Sequence, residues 1–132
     1  MSRGPAALRP VVMALHWTAL IAMVAWLFGA LPSWALALHA LGWGAITAVF
    51  GLRGSPSPAL KGALRRAAHL AHAVLLALYG LAALAAALDL AAARGLVLAT
   101  LAAAALHAVF NLWRASVLGD GALRRITPKV LH

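Results

Sequence analysis

Long apolar runs separated by short polar segments dominate the chain. Four of these runs are about 20 residues long, which is the length that a helix needs to cross the hydrocarbon core of a bilayer. The segments between them are short, so successive helices are expected to be antiparallel neighbours. The pattern predicts an all-α fold, an integral-membrane four-helix bundle of up-down-up-down topology, with one transmembrane domain over residues 1–132. The predicted spans are 11–31, 34–52, 67–88 and 95–113.

The composition favours a membrane protein over a soluble one. Of the 132 residues, 65% are hydrophobic and 10% are charged, whereas a soluble domain carries about 25% charged residues. Nearly every residue lies in or beside a predicted span, so no separate soluble domain is expected. The chain has no cysteine, which excludes disulfides, thiolate metal sites and covalent haem attachment through a C-x-x-C-H motif.

The positive charges are distributed unevenly along the chain. There are 11 Lys and Arg residues against 2 acidic ones, for a net charge of +9. All of these cations except Arg94 precede the first span, lie around the loop between the second and third, or follow the fourth. This is the positive-inside pattern, so both termini are expected in the cytoplasm. The charge therefore indicates contact with membrane lipid headgroups and no nucleic-acid partner.

Histidines interrupt the apolar spans, where ionisable groups are costly and usually mark function. Measured at 1.5 Å per residue from the nearest flanking arginine, three of these histidines lie about 10 Å deep. They are His16, His72 and His107. His39 lies about 21 Å from Arg53 on the same scale. The sequence thus predicts one inner layer of three histidines and a single histidine towards the outer side.

Two facing histidines at one depth in an apolar bundle suit a haem b, whose iron takes an axial imidazole from each side. A histidine-only zinc site would need three or four close ligands or a carboxylate. The inner layer contains no acidic residue, which also argues against a proton relay. Arg53, at the inner end of the second span, is a candidate partner for a haem propionate. Its alternative role is that of an ordinary topology anchor.

Four sequence elements in order resemble those of the bacterial cytochrome b561 family, which is related to the b-type cytochrome subunits of membrane hydrogenases. Members of this family are membrane haem proteins of four or more helices that exchange electrons with quinones. The similarity runs over nearly the whole chain. The elements are "LHW" at His16-Trp17, "HALGWGAITAVFGLR" from His39 to Arg53, "AHLAH" with His69 and His72, and "LHAVFNLWRASVLGDGALRRITP" with His107, Asp120, Leu123, Arg125 and Pro128.

The resemblance implies that His16 and His107 ligate an inner haem. In the family, the span 2 histidine, here His39, ligates a second haem together with a span 4 histidine. This chain has Ala93 at that span 4 position. Three roles for His39 stay open: it ligates a haem with Met23 as substitute ligand, it ligates a haem alone, or it only forms hydrogen bonds.

The resemblance also implies a function. We expect a multi-pass b-type cytochrome of the bacterial inner membrane that passes electrons between the quinone pool and a redox protein partner, alone or in a larger complex. His72 would lie near the inner haem and could serve a quinone or proton site, or form a simple hydrogen bond. The chain is expected to be an electron carrier, and an enzyme only if it oxidises quinol itself. The alternatives are a haem-free membrane anchor on the same scaffold and a complete two-haem oxidoreductase.

Overall fold

The computed structural model describes residues 8–51, 59–119 and 121. These residues form four α-helices, and a π-helical turn continues the last of them. The helices are α1 (Leu8–Leu27), α2 (Ser33–Phe50), α3 (Gly62–Ala87) and α4 (Ala93–Trp113), and the π-helical turn is Arg114–Leu118. Gly119, at φ 58°, ends the turn.

The helices form a four-helix bundle, as the apolar pattern predicted. α3 packs extensively on α2 and α4, and α1 contacts α2 and α4 over smaller surfaces. Each helix is long and apolar enough to cross a membrane. Large hydrophobic side chains such as Ile21, Val49 and Leu106 are exposed on the outside of the bundle, which suits lipid and not water. The architecture is that of a multi-pass membrane protein.

The turn between α1 and α2 begins before the predicted end of the first apolar run. α1 ends at Leu27, and Gly29 takes a left-handed conformation at φ 73°, which glycine adopts at little cost. Pro32 directly precedes α2 as its N-cap residue. The Trp26 indole N–H donates a hydrogen bond to Ser33 Oγ at 2.9 Å, which ties the two helices together at the turn.

The bundle divides into two halves, named for the orientation that the charges predict. The outer half comprises residues 19–27, 33–42, 77–87 and 93–103, next to the two short turns, and the inner half comprises residues 8–18, 43–50, 62–76 and 104–118. The cluster of buried hydrophobic residues lies wholly in the outer half. Its members are Ala19, Met23, Leu36, Ala40, Tyr79, Ala82, Ala83, Ala85, Ala86, Ala93 and Val97.

The inner half of the described helices is packed differently. Its buried residues are Ala68, Asn111 and Arg114, two of which are polar or charged. The many alanines of the outer half let helices approach closely, as small residues do in membrane bundles. No comparable hydrophobic cluster forms among the described inner residues. The inner half is also where the predicted histidine layer lies.

Candidate functional site

The structure brings the three inner histidines together from three helices. His16 on α1, His72 on α3 and His107 on α4 are all half-buried. The imidazole rings of His72 and His107 meet edge to face, with centroids 4.7 Å apart and planes at 83°. His16 lies near enough that a positive charge on it would interact with a charge on either of the other two.

The imidazole of His16 contacts two tryptophan rings. Its ring centroid lies 6.1 Å from that of Trp17 and 6.1 Å from that of Trp43, in edge contacts with each. Within the described part of the chain, this imidazole has ring contacts but no hydrogen-bond partner. A half-buried imidazole without such a partner retains its capacity to bind a ligand.

His107 belongs to a polar chain along one face of α4. The Asn111 amide Nδ2–H donates to His107 Nε2 at 2.8 Å, and the Arg114 guanidinium donates to Asn111 Oδ1 at 3.3 Å. Arg114 is 5% exposed, and its guanidinium carbon lies 5.8 Å from the centroid of the Phe110 ring. The guanidinium charge is therefore brought close to the histidine layer.

The second nitrogen of His107, Nδ1, is buried and has no hydrogen-bond partner among the described residues. Because Nε2 accepts from Asn111, the proton of a neutral ring is assigned to Nδ1. A buried donor without a partner costs about 1–3 kcal/mol. Such an atom is uncommon in a folded protein and indicates a missing partner or a functional role.

His72 is oriented by its own helix. Its Nδ1–H donates to the Ala68 carbonyl oxygen at 2.8 Å, which leaves Nε2 as the acceptor of a neutral ring. His69, one turn away, is exposed and does not join the layer. Arg53 lies outside the described residues.

Each of the two ring nitrogens of His39 has a partner on another helix. Thr18 Oγ1 lies 2.7 Å from His39 Nε2, and the Tyr79 hydroxyl oxygen lies 2.8 Å from His39 Nδ1. The Thr18 hydroxyl also donates to the Ala14 carbonyl oxygen at 2.7 Å. We call Thr18, His39 and Tyr79 the three-helix clasp, because they come from α1, α2 and α3.

Trp43 separates the inner layer from the clasp. Its ring makes edge contacts with His16, His39 and Tyr79 at centroid distances of 6.1, 6.4 and 6.1 Å. Gly42 and Gly44 flank Trp43 in the chain. A Cβ atom placed at either glycine meets nothing within 4 Å, so no helix packs against these positions.

Sequence reasoning missed four residues of these sites. Asn111 and Arg114 follow His107 at i+4 and i+7, a spacing that places all three on one helix face. That spacing was a usable signal. Thr18 and Tyr79 gave no local signal, because their partner His39 lies on another helix.

A haem b with bis-histidine ligation takes one imidazole on each side of its iron. The inner half offers two such imidazoles on the neighbouring helices α1 and α4, those of His16 and His107. Binding of iron through Nε2 of His107 requires the Asn111 amide to release that nitrogen. Among the described residues, no group of three or more His, Asp or Glu is arranged to hold a metal ion, so a site of three or four protein ligands does not form there.

Comparisons of the chain with protein-family models, with curated proteins and with solved structures found no match. The resemblance to the cytochrome b561 family therefore stays a prediction from the four sequence elements, and function is argued from the geometry of the inner layer.

Proposed function

We propose that this chain is a b-type cytochrome of the bacterial inner membrane that passes electrons between the quinone pool and a redox protein partner. Its haem b would be bound in the inner half by His16 and His107. The observation that supports the proposal is the convergence of histidines from α1, α3 and α4 in the inner half, where the His72 and His107 rings meet at 4.7 Å and the described residues form no hydrophobic cluster.

The proposed roles follow from the positions of the side chains. His16 and His107 supply the two axial nitrogens from α1 and α4, and the bound haem supplies one-electron redox chemistry at its iron. The apolar faces of the helices exclude water from the site. Arg114 offers a guanidinium to an anionic propionate, a role for which the sequence had suggested Arg53. Its burial and its bond to Asn111 support this assignment.

His72 is the proposed hydrogen-bonding or proton-exchanging group for a quinone. Its ring touches that of His107, and histidine exchanges protons readily near neutral pH. A redox partner would dock at the inner surface, where Lys61, Arg65 and Arg66 are exposed at the start of α3. These cations also suit anionic lipid headgroups.

A haem-free membrane anchor is the second candidate function. One observation favours it: the Asn111 amide already occupies Nε2 of His107. In this case His107 would be a hydrogen-bonding group within α4, and the bundle would serve to hold a partner at the membrane.

A haem count tests the proposal directly. The protein is purified in mild detergent after expression with haem supplied, and reduced-minus-oxidised spectra and a pyridine haemochrome assay are recorded. Wild type is expected to bind one haem per chain. His16→Ala and His107→Ala are expected to lose it, because each removes one axial ligand. His69→Ala is the matched control, since His69 is exposed outside the layer, and it should retain the haem.

The possible results separate the candidates. Wild type without haem contradicts the cytochrome and favours the anchor. Haem retained in both His16→Ala and His107→Ala contradicts the ligand assignment. Loss in His72→Ala with retention in His16→Ala would make His72 the axial ligand opposite His107.

A further inference from the structure

The three-helix clasp occupies the place where the resemblance expects a second haem ligand. His39 is held from two sides, by Thr18 on α1 at 2.7 Å and by Tyr79 on α3 at 2.8 Å. The Tyr79 side chain is 3% exposed and belongs to the buried cluster of the outer half. The clasp therefore joins three helices at the edge of the packed core.

The donors and acceptors of the clasp determine the tautomer of His39. The single hydroxyl proton of Thr18 goes to the Ala14 carbonyl oxygen, so the bond to His39 must use a proton on Nε2. His39 Nδ1 then carries no proton and accepts from the Tyr79 hydroxyl. This assignment gives one neutral tautomer with every polar atom satisfied. Neither ring nitrogen is available to a metal ion unless one of these bonds breaks.

The hydrophobic cluster that contains Tyr79 is closely packed next to the clasp, while His39 itself is half-buried. Leu36 and Val97 are completely buried, at 0% exposure each. Met23, considered as a substitute ligand, is 4% exposed and is a member of the same hydrophobic cluster. Ala93, at the position where the family has its second histidine, is 6% exposed in that cluster. Protein interiors of this kind have few voids larger than a water molecule, so a macrocycle would have to displace the core.

We infer that the three-helix clasp closes the outer half to haem and limits the chain to one redox centre, in the inner half. The residues of the outer half do not fit a haem, and His39 acts there as a hydrogen-bonding tie. The functional consequence rests on the proposed function: electron donor and acceptor both exchange electrons at the inner half. The chain is thus a one-sided carrier and does not conduct electrons across the membrane.

Nitrogen NMR of the haem-free protein tests the clasp without any cofactor. The two ring nitrogens of His39, identified as the signals that His39→Phe removes, are expected to show a protonated Nε2 and an unprotonated Nδ1. Tyr79→Phe should shift the Nδ1 signal, and Thr18→Val should shift the Nε2 signal. Thr100→Val is the matched control, because Thr100 bonds only to the Leu96 carbonyl oxygen, and it should shift neither. If neither Tyr79→Phe nor Thr18→Val shifts a ring-nitrogen signal of His39, the inference is overturned.

The haem count tests the closure of the outer half. Wild type, His39→Phe and Thr18→Val are each expected to bind one haem per chain with the same absorption spectrum. Thr18→Val retains His39, and valine has nearly the same shape as threonine. The haem count of this variant therefore tests the closure if His39→Phe does not fold. Two haems in wild type, one of them lost in His39→Phe, would overturn the closure and leave the proposed function standing. No haem in wild type would overturn the proposed function, and the NMR result would still decide the clasp.

Electron transfer across a vesicle membrane tests the one-sided carrier. The haem-loaded protein is reconstituted in quinone-free vesicles that contain ferricyanide, and dithionite is added outside. The rate of ferricyanide reduction is expected to equal that of vesicles with His107→Ala. A rate several-fold higher with wild type would show conduction across the membrane and contradict the inference.

Discussion

The outer and inner halves of this bundle are built from the same four helices, yet they differ in what fills the space between them. Small hydrophobic residues such as Ala82 and Ala83 pack the outer half, and they are 0% and 1% exposed. In the inner half, buried Asn111 and Arg114 accompany the half-buried histidine layer. Space that is filled by side chains stabilises the bundle through packing, whereas space bordered by polar groups is suited to a ligand. The comparison separates a structural half from a candidate functional half.

The histidines of the two halves show the same contrast. His39 has a partner on each ring nitrogen, and both partners come from other helices. His107 has one partner from its own helix, and its other nitrogen has none among the described residues. The cost of placing a histidine in a membrane is similar in the two cases. The hydrogen-bond partners of the ring nitrogens, and not the residue type, therefore distinguish a histidine that ties helices together from one that could bind a ligand.

Overpacking the outer half should give the largest loss of stability. Ala82→Leu adds a large side chain at a position with no exposure, and the free energy of unfolding should fall by about 1–3 kcal/mol. Ala105→Leu, at an exposed inner position of α4, is the matched control and should change it by less than about 0.5 kcal/mol. Thermal unfolding of the haem-free protein in detergent measures both. Equal effects at the two positions would contradict the difference in packing.

Removing the Asn111 amide should strengthen haem binding. Asn111→Leu frees Nε2 of His107 from a hydrogen bond worth about 1 kcal/mol, so the Kd for haem should fall about fivefold. Titration of the haem-free protein with haem, followed by absorption, measures the Kd. Ser116→Ala is the control, because Ser116 bonds only to the Leu112 carbonyl oxygen and is not part of the chain of hydrogen bonds from His107 to Arg114. Weaker binding in Asn111→Leu would instead show that Asn111 holds His107 in its ligating orientation.

Gly44→Ala should give the smallest effect. A Cβ atom at Gly44 meets nothing within 4 Å, and replacing a mid-helix glycine with alanine stabilises a helix by about 0.5–1 kcal/mol. The free energy of unfolding of the haem-free protein should therefore rise slightly. A loss of stability would show that the inner half is as tightly packed at α2 as the outer half. Thermal unfolding of Gly44→Ala and of wild type under the same conditions measures the difference in stability.

Much of the fold could be predicted from the sequence, because helix length and lipid solubility are local properties. A run of about 20 apolar residues determines a membrane-spanning helix by itself, and a short connection determines that its neighbour is antiparallel. The depth of a histidine also follows from its position in the run, so the structure agrees in grouping His16, His72 and His107 and in setting His39 apart. The apolar run continues to residue 31, whereas α1 ends at Leu27 because the backbone turns at Gly29; an apolar run alone does not show where within it a helix ends.

The sequence by itself determined four apolar helices, their order and the depths of their histidines. Only the tertiary structure decided which side chains meet across helices. The bond of His39 to Thr18 and Tyr79 joins residues 21 and 40 positions apart in the chain, and the unpaired Nδ1 of His107 depends on everything packed around it. Hydrogen-bond partnership and burial are properties of neighbours in space, and the helical period fixes neighbours only along a single helix.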